Sequence, residues 1–525
     1  MWSRTVLTQS MLALLGFVCL AQQPSTPRKE GPGEQQSPVV TFQSATRLVM
    51  LDVVVTDKKG NPVRTLSKED FKVLEDGNEQ TIASFEPPDD HAPAPVEGNG
   101  QTSDGGKSGN ATALTSSALT ILVIDELDTR IGDQAYARGE VRKFLAARGP
   151  HLSEPTALMA LEEKRLELLH DYTSDADALT DALKRHRPEL PFRLLSGEGL
   201  RGASERLASA LEALREIAAA NSHFAGRKNV IWLGPGFPAL NYLRAQPTDK
   251  ARLLGYVRET SDLMWQGRLS VYTVDPRGLE VAPESIGADL AIGSFFAPPE
   301  PTTVDLVFEQ IAPQTGGRMF RGLNDLDAQI ARSVEDGDSY YALSYYPSNR
   351  AWNGRFRRIK VVPRNPELIA RTRNGYYSVP DLPLNFQDLD RVLSRAVINP
   401  LSYHSLAVIA HASLSGSPVR TARVTVDLDP LGLHWQAAET QKHRCEVTVV
   451  AVGFSAKGKV IAQNVKELEV VVDEKKYAEL VKHGMTMNLA MQLPPEAVRM
   501  RVVTRDSTNG NIGTADLTPE GEQFH

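Results

Sequence analysis

The chain has 525 residues, of which 41% are hydrophobic and 23% charged, and a formal net charge of -7. This is the composition of folded globular protein and excludes a disordered or fibrous chain; the length sets an expectation of about three or four domains. The mild acidic balance argues against a nucleic-acid binder, which would carry a basic patch, and the interspersed acids and bases read as an ordinary solvated surface.

Arg4 and the apolar run 11–20 read as the charged and hydrophobic parts of a signal peptide, with cleavage expected after Ala21. The run is too short to span a bilayer, which needs about 20 residues, and no later run is longer. Bulky Phe17 and Val18 ahead of Cys19 argue against a lipid-attachment site. The mature chain is thus expected to be exported, to the periplasm, the cell surface or the medium, with no membrane span. Cys445 is then the remaining cysteine. It admits no intrachain disulfide and no cysteine-based zinc site and is expected as a small buried hydrophobe.

Residues 22–38 are polar and rich in Pro and Gly, as in a disordered spacer. Residues 39–86 read as a β segment: a strand over 48–55, a turn cluster from Asp57 to Pro62, and a hairpin turning at Asp76-Gly77. Residues 87–116 form a low-complexity linker carrying the sequon Asn110-Ala111-Thr112.

From Leu119 strands and helices alternate. Strands are expected at 119–124, 156–161, 164–170, 229–233, 269–274 and 318–320. Helices are expected at 133–147, from Asp175 to His186, from Ser204, and at 248–266, 303–313 and 324–335, with an irregular insertion at 280–301. Repeated βα units imply an α/β, doubly wound parallel sheet over 117–338. The run Thr120–Asp125 is the clearest strand, apolar and β-branched as in a strand buried on both faces. It ends in the acids Asp125, Glu126 and Asp128 and the hydroxyl of Thr129, at the carboxyl edge where such sheets bind ligands.

The pattern changes at Ser339. Strands over 340–346, 356–362 and 369–377 make a second β segment, 339–379, expected to join 39–86 in one β-sandwich. A linker with a helix over 385–397 fills 380–402. A C-terminal β-sandwich is expected over 403–520, with strands at 405–412, 421–428, 445–454, 459–472 and 498–505 and a helix at 477–482.

Several phrases carry a family resemblance: Val53-Val54-Val55-Thr56-Asp57-Lys58-Lys59-Gly60 with Asp70-Phe71, Asp171-Tyr172-Thr173-Ser174-Asp175, Gly226-Arg227-Lys228-Asn229-Val230-Ile231-Trp232, Tyr272-Thr273-Val274-Asp275, Thr315-Gly316-Gly317-Arg318, and Tyr340-Tyr341-Ala342-Leu343-Ser344-Tyr345-Tyr346-Pro347. Over 45–380 the chain resembles the secreted von Willebrand factor A-related proteins first described in acidobacteria. The resemblance implies a von Willebrand A-like domain flanked by β-sandwich domains. It also implies a metal-ion-dependent adhesion site, in which an Asp-x-Ser-x-Ser turn, a Thr and an Asp from three loops hold Mg²⁺ through hard oxygen donors.

That site is degenerate here. Asp125 matches the leading Asp, Leu127 replaces the first Ser, and Thr129 matches the second; Asp128 adds an acid, and Ser204 stands for the second-loop Thr. The third loop reads Gly234-Pro235-Gly236, with Pro235, which has no side-chain donor, in place of the Asp. The residues that remain to hold Mg²⁺ are Asp125, Asp128, Thr129 and Ser204. The loops expected to face a partner carry Glu126, Gly234, Pro235, Gly236 and Phe237.

Other chemistries find less support. Gly234-Pro235-Gly236 lacks the spacing and the Lys-Ser/Thr of a phosphate loop. His170, Asp171 and Ser174 crowd one short stretch, whereas a catalytic triad is assembled from distant segments. The paired tyrosines at 340–341, 345–346 and 376–377 alternate faces as in a sandwich core. The expected function is that of an exported, non-enzymatic binding or adhesion protein with a protein partner. The alternatives are Mg²⁺-dependent binding at the same site, a hydrolase with an unrecognised site, and a structural envelope component.

Overall fold

The structure is a computed structural model that describes residues 47–91, 118–163, 165–188, 200–222, 224, 226–236, 247–277, 311–322, 325–379, 386–417, 419–438, 442–518 and 523–524. The expected signal peptide and spacer, most of the 87–116 linker, the insertion at 280–301 and Phe237 lie outside these residues.

The described residues open with strands β1 (Val49–Thr56), β2 (Phe71–Glu75), β3 (Asn78–Gln80) and β4 (Ile82–Glu86). The α/β region follows: β5 (Leu119–Asp125), α1 (Ile131–Arg148), β6 (His151–Leu161), β7 (Leu166–Asp175), α2 (Ala176–Arg185), α3 (Leu200–Asn221), β8 (Lys228–Leu233), α4 (Pro247–Gln266), β9 (Leu269–Val274), α5 (Ile311–Gln314), β10 (Met319–Phe320) and α6 (Leu326–Asp338). Its six strands form one sheet in the order β10-β9-β8-β5-β6-β7.

The sheet is not wholly parallel. β10, β9, β8, β5 and β6 run parallel, but β7 pairs antiparallel with β6. The cause is the length of the connection. Residues 162–165 join the two strands, too few for the crossover that a parallel pair requires, so 151–175 folds back as a hairpin. Both strands are also longer than expected. Asp175 then caps α2, its carboxylate accepting from the backbone N–H groups of Asp177 and Ala178.

Four more strands follow: β11 (Tyr340–Tyr345), β12 (Phe356–Pro363), β13 (Ile369–Arg371) and β14 (Gly375–Tyr377). They interleave with the first four in two sheets, β13-β1-β11-β4 and β14-β12-β2-β3. Val49, Leu51, Val53, Phe71, Val73, Tyr341, Tyr345, Ile359, Val361 and Tyr376 share one core between those sheets. The single strand expected over 369–377 is two. Arg371 pairs with Val54 in one sheet, Tyr376 with Arg357 in the other, and between them the backbone N–H of Asn374 donates to Gln314. The chain changes sheet there because Arg373 and Asn374 are drawn onto the end of α5. A largely buried ion pair between Asp52 of β1 and Arg268, in the turn entering β9, ties the β strands to the α/β sheet.

After α7 (Phe386–Ile398) the chain is again mostly strand. β15 (Val408–Ser415), β16 (Arg420–Leu428) and β20 (Met485–Leu493) form one sheet. β17 (Gln436–Ala438), β18 (Lys442–Ser455), β19 (Val460–Asp473), β21 (Ala497–Asp506), β22 (Ile512–Leu517) and β23 (Gln523–Phe524) form the other. β20 has no counterpart among the expected strands, although Met485, Met487, Leu489, Met491 and Leu493 alternate inward as period-two burial requires. α8 (Glu474–His483) follows β19. Cys445 is buried in β18 as a free thiol.

Candidate functional site

β5 is buried along its whole length. Ile121 and Val123 enter the core layer that contains Leu211, Leu214 and Ile217 of α3, while Leu122 and Ile124 enter the opposite layer with Val141, Leu145 and Leu179. A strand covered on both faces has no polar side for its side chains, so its acids collect at the carboxyl end. Residues 125–129 make that exit turn.

Asp125 is almost completely buried. Its Oδ1 accepts from the backbone N–H of Leu127 (3.1 Å) and of Asp128 (2.9 Å), and its Oδ2 accepts from the indole Nε1 of Trp232 in β8 (3.0 Å). β8 presses on it: a Cβ added at Gly234 would stand 2.6 Å from the Asp125 Cβ. Burial, and then the nearby charge of Asp128, push the Asp125 carboxyl up to about 7, against the three hydrogen bonds that favour its ionised form. Burial also raises the Asp128 carboxyl, opposed by the guanidinium of Arg206 in α3. Arg206 and Asp128 form an ion pair.

The other expected ligands are placed differently. Leu127 is buried and offers no donor. Thr129 is buried, and its hydroxyl finds no hydrogen-bond partner among the described residues. Ser204 belongs to α3, but its side chain lies outside the described residues. Pro235 turns its carbonyl to Arg321 (3.4 Å), and Gly236 sits at φ 90°, a backbone state that favours glycine. With Asp125 held by three protein donors, Asp128 by a guanidinium, and positions 127 and 235 without oxygen side chains, these residues do not fit the oxygen cage of Mg²⁺.

Glu126, expected on the partner-facing loop, is buried instead. Its backbone N–H extends the sheet ladder to Leu161, and its carboxylate receives Arg138 of α1 and His186, just past α2. Glu162, at the end of β6, lies in the same pocket. Trp232 had a signal in the sequence, as an indole within a central apolar strand. Arg206, Glu162 and His186 had none, because each reaches the site only through tertiary packing.

Of the residues of the hydrolase alternative, His170 and Asp171 are otherwise engaged, and Ser174 is exposed. The His170 ring nitrogen meets the carbonyl of its neighbour Asp171 (2.7 Å). The Asp171 carboxylate faces His404 (3.3 Å) and accepts from the backbone N–H of Tyr172. Burial alone would raise its pKa, but its hydrogen-bond partners, His404 first, hold it below the usual range. Of the tyrosines, 340, 341, 345, 376 and 377 are core, and Tyr346 is exposed.

No protein-family model matches the chain, and no curated protein matches it. Among solved structures it is similar to the TFIIH p34 N-terminal domain, at 14% identity over 42% of this chain and 97% of that one, with a TM-score of 0.21. It is also similar to the VWA domain of SpRpn10, at 11% identity over 30% of this chain and 88% of that one, with a TM-score of 0.16. A third likeness is to three N-terminal domains of the type V pili tip protein Mfa5 from Porphyromonas gingivalis, at 10% identity over 90% of this chain and 77% of that one, with a TM-score of 0.18. The described residues form a mixed α/β structure with more strands than helices. Among the described residues no helix is long and apolar enough to cross a membrane.

Proposed function

We propose that this is an exported, non-catalytic binding protein of the von Willebrand A-related kind, and that it meets a protein partner at the carboxyl edge of its sheet without a bridging cation. The contact surface is centred on Asp128 and Pro235, the partly exposed residues of the two loops, with the rest of 125–129 buried behind them. The observation that supports this reading is the state of Asp125. Its carboxylate accepts two backbone N–H groups and an indole N–H, so it organises the turn rather than presenting oxygens outward. Arg206 supplies the positive charge beside Asp128. The hydroxyl of Thr129, without a hydrogen-bond partner among the described residues, is the observation on the side of Mg²⁺-dependent binding.

Affinity capture from the exported fraction distinguishes the two. The protein is used as bait in chelator, and again with Mg²⁺ restored. The proposal expects the same partner under both conditions, with capture reduced when Pro235→Glu places a charge on the loop. Capture that chelator abolishes and Mg²⁺ restores would favour the adhesion-site reading instead.

A further inference from the structure

Three metal-ligand side chains from separate elements converge beside the Asp125 turn. Glu126 leaves β5, Glu162 leaves β6, and His186 follows α2; one ligand atom from each lies within 4.8 Å of the other two. They are not solvated surface acids. Their side chains are 1%, 3% and 5% exposed.

The separation of His186 and Glu126 matches that between two ligands of one cation. The His186 Nε2 stands 3.1 Å and 3.2 Å from the two Glu126 oxygens. Ligands about 2.0 Å from a tetrahedral cation are separated by about 3.3 Å. A cation between His186 and Glu126 therefore requires little rearrangement of that pair, and Glu162 offers a third ligand atom within 4.8 Å of theirs.

The surroundings support the same arrangement. Arg138 donates to the Glu126 Oε1 (3.1 Å) and, through its other nitrogen, to the carbonyls of Leu183 and His186. It holds the His186 backbone in place and leaves the second Glu126 oxygen for a metal. Arg165 pairs with Glu162 (3.2 Å) from a largely exposed position. An imidazole nitrogen with two carboxylates is a donor set for a borderline first-row cation, and it leaves a fourth position for water. It differs from the all-oxygen set of a Mg²⁺ adhesion site.

We infer that Glu126, Glu162 and His186 bind a divalent cation of the Zn²⁺ class, pinning together the ends of β5, β6 and α2 beneath the loop edge. Binding requires His186 Nε2 to be deprotonated, and its proton passes to solvent. The site is independent of the partner-binding proposal and stands or falls by itself.

The test uses the purified protein, stripped with chelator, dialysed against Zn²⁺ and measured by elemental analysis. The expected result is about one retained equivalent, with visible ligand-field bands when Co²⁺ replaces Zn²⁺. The near-isosteric Glu162→Gln, and separately His186→Ala, are expected to weaken Zn²⁺ binding at least about tenfold, with folding checked by circular dichroism. Wild-type protein that retains no Zn²⁺ overturns the inference without recourse to a variant. Retention undiminished in both folded variants, as from surface histidines, also overturns it.

Discussion

Asp125→Ala removes the acceptor from three buried donors at once: the N–H groups of Leu127 and Asp128 and the indole of Trp232. A buried donor left unpaired costs about 1–3 kcal/mol, so the gross loss over three donors is on the order of 3–9 kcal/mol. An opposing term depends on pH. The folded-state pKa of Asp125 is raised to about 7 from 3.8, so the native state holds a proton that the unfolded chain has released. The associated stability is fully present below about pH 4 and is lost as pH rises through about 7, a change of up to about 4 kcal/mol. The raised Asp128 carboxyl acts with the same sign. The alanine variant lacks the Asp125 term. Its deficit against wild type should therefore be large near pH 5 and smaller, by about 3 kcal/mol, near pH 8. Urea denaturation followed by tryptophan fluorescence at the two pH values, in chelator and in Mg²⁺, measures this. An equal deficit at both pH values would refute the burial argument. A deficit present only in Mg²⁺ would show that Asp125 works through a cation.

Three further perturbations test the same turn and its supports. Gly234→Ala drives a methyl to 2.6 Å from the Asp125 Cβ, and should cost about 1–3 kcal/mol, read as a lowered unfolding midpoint. Arg206→Gln leaves the Asp128 carboxylate half-buried without its cation; a loss of about 1–3 kcal/mol is expected, and it should shrink at low pH, where Asp128 is neutral. Asp52→Asn breaks the largely buried pair with Arg268 and should cost up to about 3–5 kcal/mol, with faster hydrogen exchange in β1. An effect below 1 kcal/mol would mean that this clamp is not what holds β1 to the α/β sheet.

How much of this was legible in the sequence depended on whether the signal was local. β5, β8 and β9 are short apolar runs, and their periodicity marks them as central strands. The antiparallel hairpin β6–β7 departs from the expected parallel sheet because strand patterning carries no direction; the length of the 162–165 connection does. The split of 369–377 between two sheets depends on Asn374 meeting Gln314, which no local pattern encodes. At the site, the losses at Leu127 and Pro235 were plain from residue type alone. That Asp128 would meet Arg206 was not, nor that Glu126 would turn inward to His186 and Arg138. Those contacts are set by how α1, α2 and α3 pack on the sheet.

Isothermal titration of the Zn²⁺-saturated protein with Mg²⁺, wild type beside Asp125→Ala, bears on whether the Asp125 turn is an adhesion site or a protein-satisfied scaffold. The account predicts no heat beyond dilution in either protein. A saturable heat in wild type that Asp125→Ala abolishes, while the variant remains folded, would contradict it.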